Sequence, residues 1–217
     1  MIDPALVEER VTALRDRIDR IADGRNVTIV AVTKGFGLDA VLAALRCGLS
    51  CVGENYAQEL LAKAGALPAD AAAEWHFLGR LQRNKVRSLA PVIDLWQSVD
   101  RAELIDEIAR RAPGARILVQ ANLSGESQKG GAALAEIPAL VERAGEAGLL
   151  VEGLMGVGPE GVPEQARSGF RALVALADQL ALPCRSIGMT ADLEVALQEG
   201  STMIRVGGAL FGPRPAR

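Results

Sequence analysis

Short apolar runs alternate with longer segments of helical periodicity along almost the whole chain. The runs are rich in Val, Ile and Leu and lack polar alternation, which is typical of strands buried on both faces of a parallel sheet. They predict eight strands, at residues 27–33, 51–53, 75–78, 94–99, 117–123, 151–157, 185–189 and 203–209.

Helical patterns fill the intervals between these strands, and one more helix precedes the first strand. Residues 4–23 carry apolar side chains at helical spacing behind Asp3 and Pro4, a favourable N-cap and first-turn pair. We expect Asp100 to open the helix at 101–111 and Thr190 to cap the helix at 191–198. The other predicted helices are 38–47, a segment from about 56, 82–89, 132–147 and 163–180.

Strands that alternate with helices imply parallel pairing, and eight such units favour closure into a barrel. We therefore predict an α/β fold: a single (β/α)8 TIM barrel with an extra N-terminal helix, forming one domain over residues 1–217. A doubly wound open sheet is the alternative. It is disfavoured because no G-x-G-x-x-G motif follows the first strand, where a dinucleotide-binding fold requires it.

Composition narrows the function further. The formal net charge is −3, and no basic run offers a footprint for nucleic acid. No uncharged apolar stretch approaches the ~18 residues that span a bilayer, and the N-terminus lacks the features of an export signal. We expect a cytoplasmic protein that binds neither nucleic acid nor membrane, and we expect it to be a monomer.

Cysteine and histidine content disfavours a metal centre. Cys47, Cys51 and Cys184 form an odd set with no second ligand pair, so we predict free thiols in a reducing compartment. His76 is the single histidine of the chain, which excludes zinc sites that need several histidines. We predict no metal site.

Lys34 is the first candidate for chemistry. It stands where the first strand ends, directly before a glycine-containing loop, in a chain with 20 arginines and only four lysines. Surface charge is thus routinely supplied by arginine, and a lysine can serve where a deprotonatable amine is needed. A simple polar strand end is the alternative.

The barrel prediction brings Lys34 to the same face as the last two strand ends. The loops after strands 7 and 8 are the usual phosphate cradle of this fold. Here they carry Met189 and Thr190, whose hydroxyl can face a phosphate, and Gly207 and Gly208, which allow close backbone approach. A lysine that faces a phosphate cradle is what a pyridoxal 5'-phosphate site requires: the amine forms a Schiff base and the phosphate anchors the cofactor.

Longer motifs carry a family resemblance that runs nearly end to end. They are A-V-T-K at 31–34, G-E-N-Y-x-Q-E at 53–59, W-H-F-L-G-x-L-Q-x-N-K at 75–85, N-x-S-x-E-x-x-K-x-G at 122–131, G-L-M-G at 153–156, G-M-T-x-D at 188–192, G-S-T-M-I-R-V-G at 200–207 and A-L-F-G at 209–212. The chain resembles the pyridoxal phosphate homeostasis family (YggS/PROSC-type), whose fold is similar to the N-terminal barrel of alanine racemase.

The resemblance implies roles for individual residues. Lys34 would bond to the cofactor aldehyde, Asn55 would lie near the phenolic oxygen of the ring, and Arg205 would approach the pyridine nitrogen and keep it unprotonated. The phosphate would be held by Thr190, Gly207 and Gly208. Two positions depart from the family pattern, since Thr190 replaces a usual serine and Gly208 a usual threonine, so that one phosphate-facing hydroxyl is lost.

Other residues keep structural alternatives. His76 is included among the cofactor contacts, with a role inside the barrel as the alternative, and Asn55 could instead cap the helix that begins near Tyr56. The basic residues Arg83, Lys85 and Arg87 form either a solvated helix face or a surface for phosphate or a partner. Glu126 and Lys129 could pair on the surface.

Two functions remain in competition. The first is a non-catalytic carrier that buffers pyridoxal phosphate and hands it to apo-forms of enzymes that use it. The alternative is an amino-acid racemase. The resemblance favours the carrier, because racemases take their second base from a tyrosine of an added domain. The only tyrosine here, Tyr56, belongs to the N-terminal half of the barrel.

Overall fold

The computed structural model describes residues 2–125 and 130–214. The expected surface pair of Glu126 and Lys129 lies outside these residues. Within them, eight strands close into a barrel in chain order, and each strand runs parallel to both neighbours. The last strand pairs with the first, with Thr28 opposite Met203 and Val30 opposite Arg205. The predicted (β/α)8 barrel is confirmed.

The strands and helices alternate as the hydrophobic pattern predicts. The strands are β1 Thr28–Val32, β2 Cys51–Glu54, β3 Glu74–Phe77, β4 Leu95–Val99, β5 Arg116–Asn122, β6 Leu150–Val157, β7 Cys184–Ser186 and β8 Met203–Val206. The helices are α1 Pro4–Ile21, α2 Leu38–Arg46, α3 Ala57–Ala66, α4 Arg83–Leu89, α5 Ala102–Arg111, α6 Ile137–Glu146, α7 Arg167–Gln179, α8 Leu193–Gln198 and α9 Gly208–Phe211.

Apolar side chains form two layers. Between the barrel and the helices lies the larger layer, which includes Trp96, Leu104 and Phe170. Inside the barrel, a smaller cluster built on Val30, Leu118 and Met155 fills part of the lumen. Because side chains alternate along each strand, residues that face the lumen are separated from those that face the helices.

The extra N-terminal helix begins as predicted. Asp3 caps α1, its carboxylate accepting a hydrogen bond from the Ala5 amide at 3.0 Å. The apolar stripe of α1 packs on the outside of the barrel, in contact with α2, α8 and α9. No helix in the described part of the chain is long and apolar enough to span a bilayer.

Two predicted strands, the seventh and the eighth, run well past the carboxyl ends of the observed strands. β7 ends at Ser186 rather than Met189, because Gly188 has a φ of 98°, which an extended strand cannot accommodate. β8 ends at Val206, and the residues predicted as its end form α9, where the amides of Leu210 and Phe211 bond to the Gly207 carbonyl.

Unlike the Asp3 cap of α1, the caps predicted for α5 and α8 are wrong. Arg101, not Asp100, occupies the N-cap of α5, and Asp100 instead accepts hydrogen bonds from the Arg101 side chain and the Gly131 amide. Asp192, not Thr190, is the N-cap of α8, so the helix begins two residues later than predicted. In each case a loop contact takes the side chain that local sequence assigns to the cap.

Candidate functional site

A cavity of about 710 Å³ opens at the carboxyl ends of the strands. Its walls come from β1, β6 and β8, from the loops after β1, β2, β3 and β7, and from the segment after α9. The lining residues are Val32, Lys34, Phe36, Asn55, Leu78, Met155, Val157, Met189, Thr190, Ala191, Arg205, Gly207, Gly208, Gly212, Pro213 and Arg214. Enzymes with a (β/α)8 barrel have their active sites at this face.

Lys34 lies in the tight turn that follows β1. The turn is closed by a hydrogen bond from the Phe36 amide to the Thr33 carbonyl at 3.0 Å. Burial lowers the pKa of the Lys34 amine below its usual value, and the nearby charges of Arg214 and Arg205 lower it further, against the opposing effect of Glu54. A lowered pKa leaves more of the amine in its unprotonated, nucleophilic form at neutral pH.

A buried ion pair supports this turn from below. The Lys63 ammonium donates to Glu54 Oε1 at 2.5 Å and to the Thr33 carbonyl at 2.8 Å, and the Thr33 hydroxyl donates to the same Glu54 oxygen at 2.6 Å. Burial raises the pKa of Glu54, although Lys63 and Thr33 oppose the shift. Glu59 completes the support by accepting a hydrogen bond from the Gly35 amide at 2.8 Å.

Arg205 reaches the cavity from inside the barrel. Its Nη1 donates to the carbonyl and the hydroxyl of Ser186, at 2.6 and 2.7 Å, and its Nη2 donates to the Gly156 carbonyl at 2.8 Å. Complete burial lowers the pKa of Arg205 to about 10, so the guanidinium remains protonated at neutral pH. Among the described residues its Nε–H has no acceptor, which leaves a donor for a ligand.

The two loops expected to form a phosphate cradle meet at the ends of β7 and β8. Thr190 Oγ1 accepts a hydrogen bond from the Ala209 amide at 3.4 Å, which links the two loops. A Cβ on Gly207 would lie 2.8 Å from the Val32 carbonyl oxygen, so this position requires glycine for close packing. A Cβ on Gly208 would meet nothing within 4 Å.

Asn55 and Met189 also line the cavity, whereas His76 does not. Asn55 does not cap α3, since Tyr56 is the N-cap residue there. His76 is fully buried in the barrel, where its ring contacts Gln97 and Glu74. The prediction that His76 contacts the cofactor is wrong for this cavity, because its side chain is buried among Gln97 and Glu74 inside the barrel and does not reach the cavity wall.

Arg214 is a lining residue that the sequence analysis missed. It follows α9, and its side chain returns over the Lys34 turn, with Cδ 3.2 Å from the position of a Cβ on Gly35. Its only signal in the sequence is its place shortly after the last strand of the barrel. In the absence of any hydrophobic pattern there, the path of this segment could not be predicted.

The three cysteines and His76, the single histidine, do not line the cavity. All three cysteines are free, and burial raises the pKa of Cys51 to about 11. Cys51, Glu74 and His76 form a cluster at the amino ends of the strands with ligand atoms close together. Its chemistry is poor for a cation, because the Cys51 thiol is protonated and Arg116 donates to the Glu74 carboxylate at 2.9 Å.

The basic residues of α4 do not contribute to the cavity. Arg83 and Arg87 are exposed and Lys85 is half-buried. The only ion pair formed by the Arg83 side chain within the described residues is a long one of 3.5 Å with Glu107. This arrangement fits a solvated helix face, and the possibility of a partner contact there stays a prediction.

Comparison with known proteins gives a consistent match over the whole chain. The family model described as the alanine racemase N-terminal domain matches residues 3–215. A pyridoxal phosphate homeostasis protein of Aquifex aeolicus (strain VF5) is 39% identical over 223 residues, covering 95% of this chain and 97% of that protein. One from Pseudomonas aeruginosa is 36% identical, covering 96% of each.

A solved structure matches the fold and adds a ligand. PipY of Synechococcus elongatus PCC7942, determined with pyridoxal phosphate bound, superposes with a TM-score of 0.83 at 29% identity. The match covers 95% of this chain and all of the PipY chain.

Proposed function

This chain belongs to the family of the pyridoxal phosphate homeostasis proteins, and from that premise we propose that it binds pyridoxal 5'-phosphate through Lys34 and acts as an intracellular carrier and buffer of the cofactor. One observation carries the proposal. A lysine with a lowered pKa shares a cavity with two arginines, and among the described residues no acidic side chain lines that cavity. Such a cavity suits a small anion that bears an aldehyde.

The lining residues fit the parts of this cofactor. Lys34 is the nucleophile for its aldehyde, and the free Nε–H of Arg205 suits the ring nitrogen. The hydroxyl of Thr190 and the backbone at Gly207 and Gly208 suit its phosphate. Leu78, Met155 and Val157 supply apolar walls for the ring, and Asn55 supplies a polar contact at its edge; these side chains are found in the lining set.

The proposal of a non-catalytic role rests on the same lining set. A racemase needs a proton donor and acceptor on each side of the reacting carbon, within hydrogen-bond reach. Within the described residues, the cavity is lined by no histidine, tyrosine, cysteine or carboxylate that could act opposite Lys34. Tyr56 is half exposed and lies outside the cavity. Among the described lining residues, Lys34 therefore has no partner that could serve as the second base of a racemase.

The wider setting follows from the surface and the thiols. The three free cysteines are typical of a reducing cytoplasm. In the described residues the four exposed large apolar side chains, Leu6, Tyr56, Leu150 and Val162, lie on separate elements, as expected for a monomer. The recipients of the cofactor are apo-forms of enzymes that use it.

The carrier proposal is tested by loading the protein with cofactor and measuring two activities: transfer of the cofactor to an apo-enzyme, and exchange of amino-acid α-protons with solvent. Purified protein saturated with pyridoxal phosphate is freed of excess ligand and mixed with an apo-aminotransferase, whose recovered activity counts transferred cofactor. In parallel, alanine, serine and glutamate are incubated in D2O and α-proton exchange is read by NMR. We expect stoichiometric transfer and no exchange above a trace.

Matched variants decide the outcome. Lys34→Ala should lose the visible absorption and the slow, stoichiometric release, whereas Lys85→Ala, on the outer helix α4, should behave as wild type. Exchange of the α-proton that disappears in Lys34→Ala would contradict the carrier and establish an enzyme.

A further inference from the structure

A chain of polar side chains crosses the interior of the barrel from its far end to the cavity. Its members are Glu74, His76, Gln97, Ser186 and Arg205, which come from β3, β4, β7 and β8. Glu74 is the first residue of β3, at the end of the barrel opposite the cavity. The side chains of the three middle residues are fully buried. Polar groups this deep must satisfy one another.

Each neighbouring pair in the chain is within hydrogen-bond distance. Arg205 Nη1 lies 2.7 Å from Ser186 Oγ, and that hydroxyl lies 2.7 Å from Gln97 Oε1. Gln97 Nε2 lies 2.7 Å from His76 Nδ1, and His76 Nε2 lies 3.3 Å from Glu74 Oε1. The polar path is therefore continuous.

The direction of every hydrogen bond follows from its cationic end. A guanidinium can only donate, so the Ser186 hydroxyl accepts from Arg205 and sends its single proton to the Gln97 carbonyl oxygen. The Gln97 amide group then faces His76 Nδ1, and it also lies 3.2 Å from Met203 Sδ, another acceptor. Nδ1 is thus the acceptor nitrogen of the ring, and a ring proton sits on Nε2, facing Glu74.

The two ends of this polar chain of side chains, Arg205 and Glu74, carry opposite charges. Among the described residues Arg205 touches no carboxylate, and its direct partners are a hydroxyl and two carbonyls. Glu74 is a carboxylate whose pKa is lowered to about 2, chiefly by the His76 hydrogen bond and also by Arg116. Aligned hydrogen bonds polarise one another in a low-dielectric interior, so this chain connects a buried cation with a distant anion.

We propose that Glu74, His76, Gln97 and Ser186 are positioning residues that hold the Arg205 guanidinium at the cavity and aim its free N–H at the bound cofactor. The cofactor part of this inference rests on the proposed function. His76, which does not line the cavity, has a role in this arrangement, since its ring proton completes the polar chain to Glu74.

The single histidine makes a direct test possible, because the imidazole nitrogens of His76 give the only histidine signals in the protein. We expect ¹⁵N NMR of the cofactor-free protein at neutral pH to show a protonated Nε2 and an unprotonated Nδ1. Addition of pyridoxal phosphate should shift both ¹⁵N signals, since a ligand on Arg205 changes the polarisation along the chain.

Gln97→Leu interrupts the chain at its midpoint. The His76 signals should then no longer respond to the cofactor, although Lys34 still binds it and the absorption band remains. Cofactor should be held about tenfold less tightly, as expected when a hydrogen-bond chain to a charged group is cut. The matched control is Gln120→Leu, a buried glutamine of β5 that donates instead to the Gly130 carbonyl. It should keep the wild-type response.

Ser186→Ala cuts the chain one link nearer Arg205 and decides the matter if Gln97→Leu does not fold. A ring proton on Nδ1 would overturn the proposal. It would also be overturned if the His76 signals still responded to the cofactor in the interrupted variants, or if they did not respond in loaded wild type. Wild-type protein that takes up no cofactor would instead contradict the proposed function, and the proton position in the cofactor-free protein would still test the chain.

Discussion

At the scale of single residues, two adjacent glycines at the proposed phosphate cradle have different constraints. Gly207 packs against the Val32 carbonyl, and a Cβ there would approach its oxygen to 2.8 Å. Gly208 has open space where a Cβ would project, and a φ that a side chain tolerates. The backbone approach at the cradle therefore depends on the first glycine, and the second could carry a side chain.

Gly208→Thr should retain cofactor longer than wild type. A threonine hydroxyl adds one hydrogen bond to a charged phosphate, worth at most about 1.5–3 kcal/mol. Gly207→Ala, the matched control, should shorten retention because the strand and the cradle must move apart. Dialysis of loaded protein against a competing amine, followed by absorbance, compares the three proteins. Faster loss from Gly208→Thr than from wild type would contradict the assignment of the open position.

The charge of Arg214 should affect the pH dependence with which the Lys34 amine captures an aldehyde. Its charge lowers the pKa of the amine, so Arg214→Gln should raise that pKa and move the midpoint of aldehyde capture to higher pH. Pyridoxal, which lacks the phosphate, isolates this effect from phosphate binding, and borohydride trapping measures the captured fraction. Arg214→Lys keeps the charge and should keep the wild-type profile. An unmoved midpoint in Arg214→Gln would show that the Arg214 charge does not lower the pKa of Lys34.

At the scale of elements, the Lys34 turn depends on the pairing of β1 and β2 with α3. Lys63 of α3 reaches under the turn to the Thr33 carbonyl and to Glu54 at the end of β2. The exposed fraction of the Lys63 side chain is 8%, and that of Glu54 is 0%. Removal of one partner would leave the other charge buried and uncompensated.

Lys63→Met should therefore lower the free energy of unfolding by about 3–5 kcal/mol. The double variant Lys63→Met with Glu54→Leu should recover most of that loss, because two apolar side chains can replace a buried pair with little net change. Urea denaturation of the single and double variants measures both effects. A Lys63→Met protein as stable as wild type would show that the ion pair does not support the turn.

The elements also show which structural features the sequence can predict. Uninterrupted apolar runs predict β1, β4, β5 and β6 closely, since strands buried on both faces need such runs. The ends of β7 and β8 are not predictable from these runs, because a left-handed glycine at Gly188 and backbone bonds to Gly207 terminate them. The cap predicted for α5 fails for a similar reason, because contacts with Arg101 and the Gly131 amide engage the Asp100 carboxylate.

At the scale of the whole molecule, the barrel explains why much of the site was predictable. Closure brings the carboxyl ends of β1, β2, β7 and β8 to one cavity. A lysine at the end of β1 and the glycines at the end of β8 can therefore be predicted to lie in the same cavity. Residues inside the lumen do not follow this rule: His76 belongs to the polar chain below the cavity. Arg214 lies beyond the last strand, where no periodicity indicates the path of the backbone.

Lys34 is the residue that we propose carries the cofactor. Borohydride reduction of protein loaded with pyridoxal phosphate, followed by proteolysis and mass spectrometry, locates the label among the four lysines. We expect one label per chain, on Lys34, and a yellow protein that loses its colour on reduction. A label found instead on Lys63, Lys85 or Lys129, or a protein that takes up no label, would contradict it.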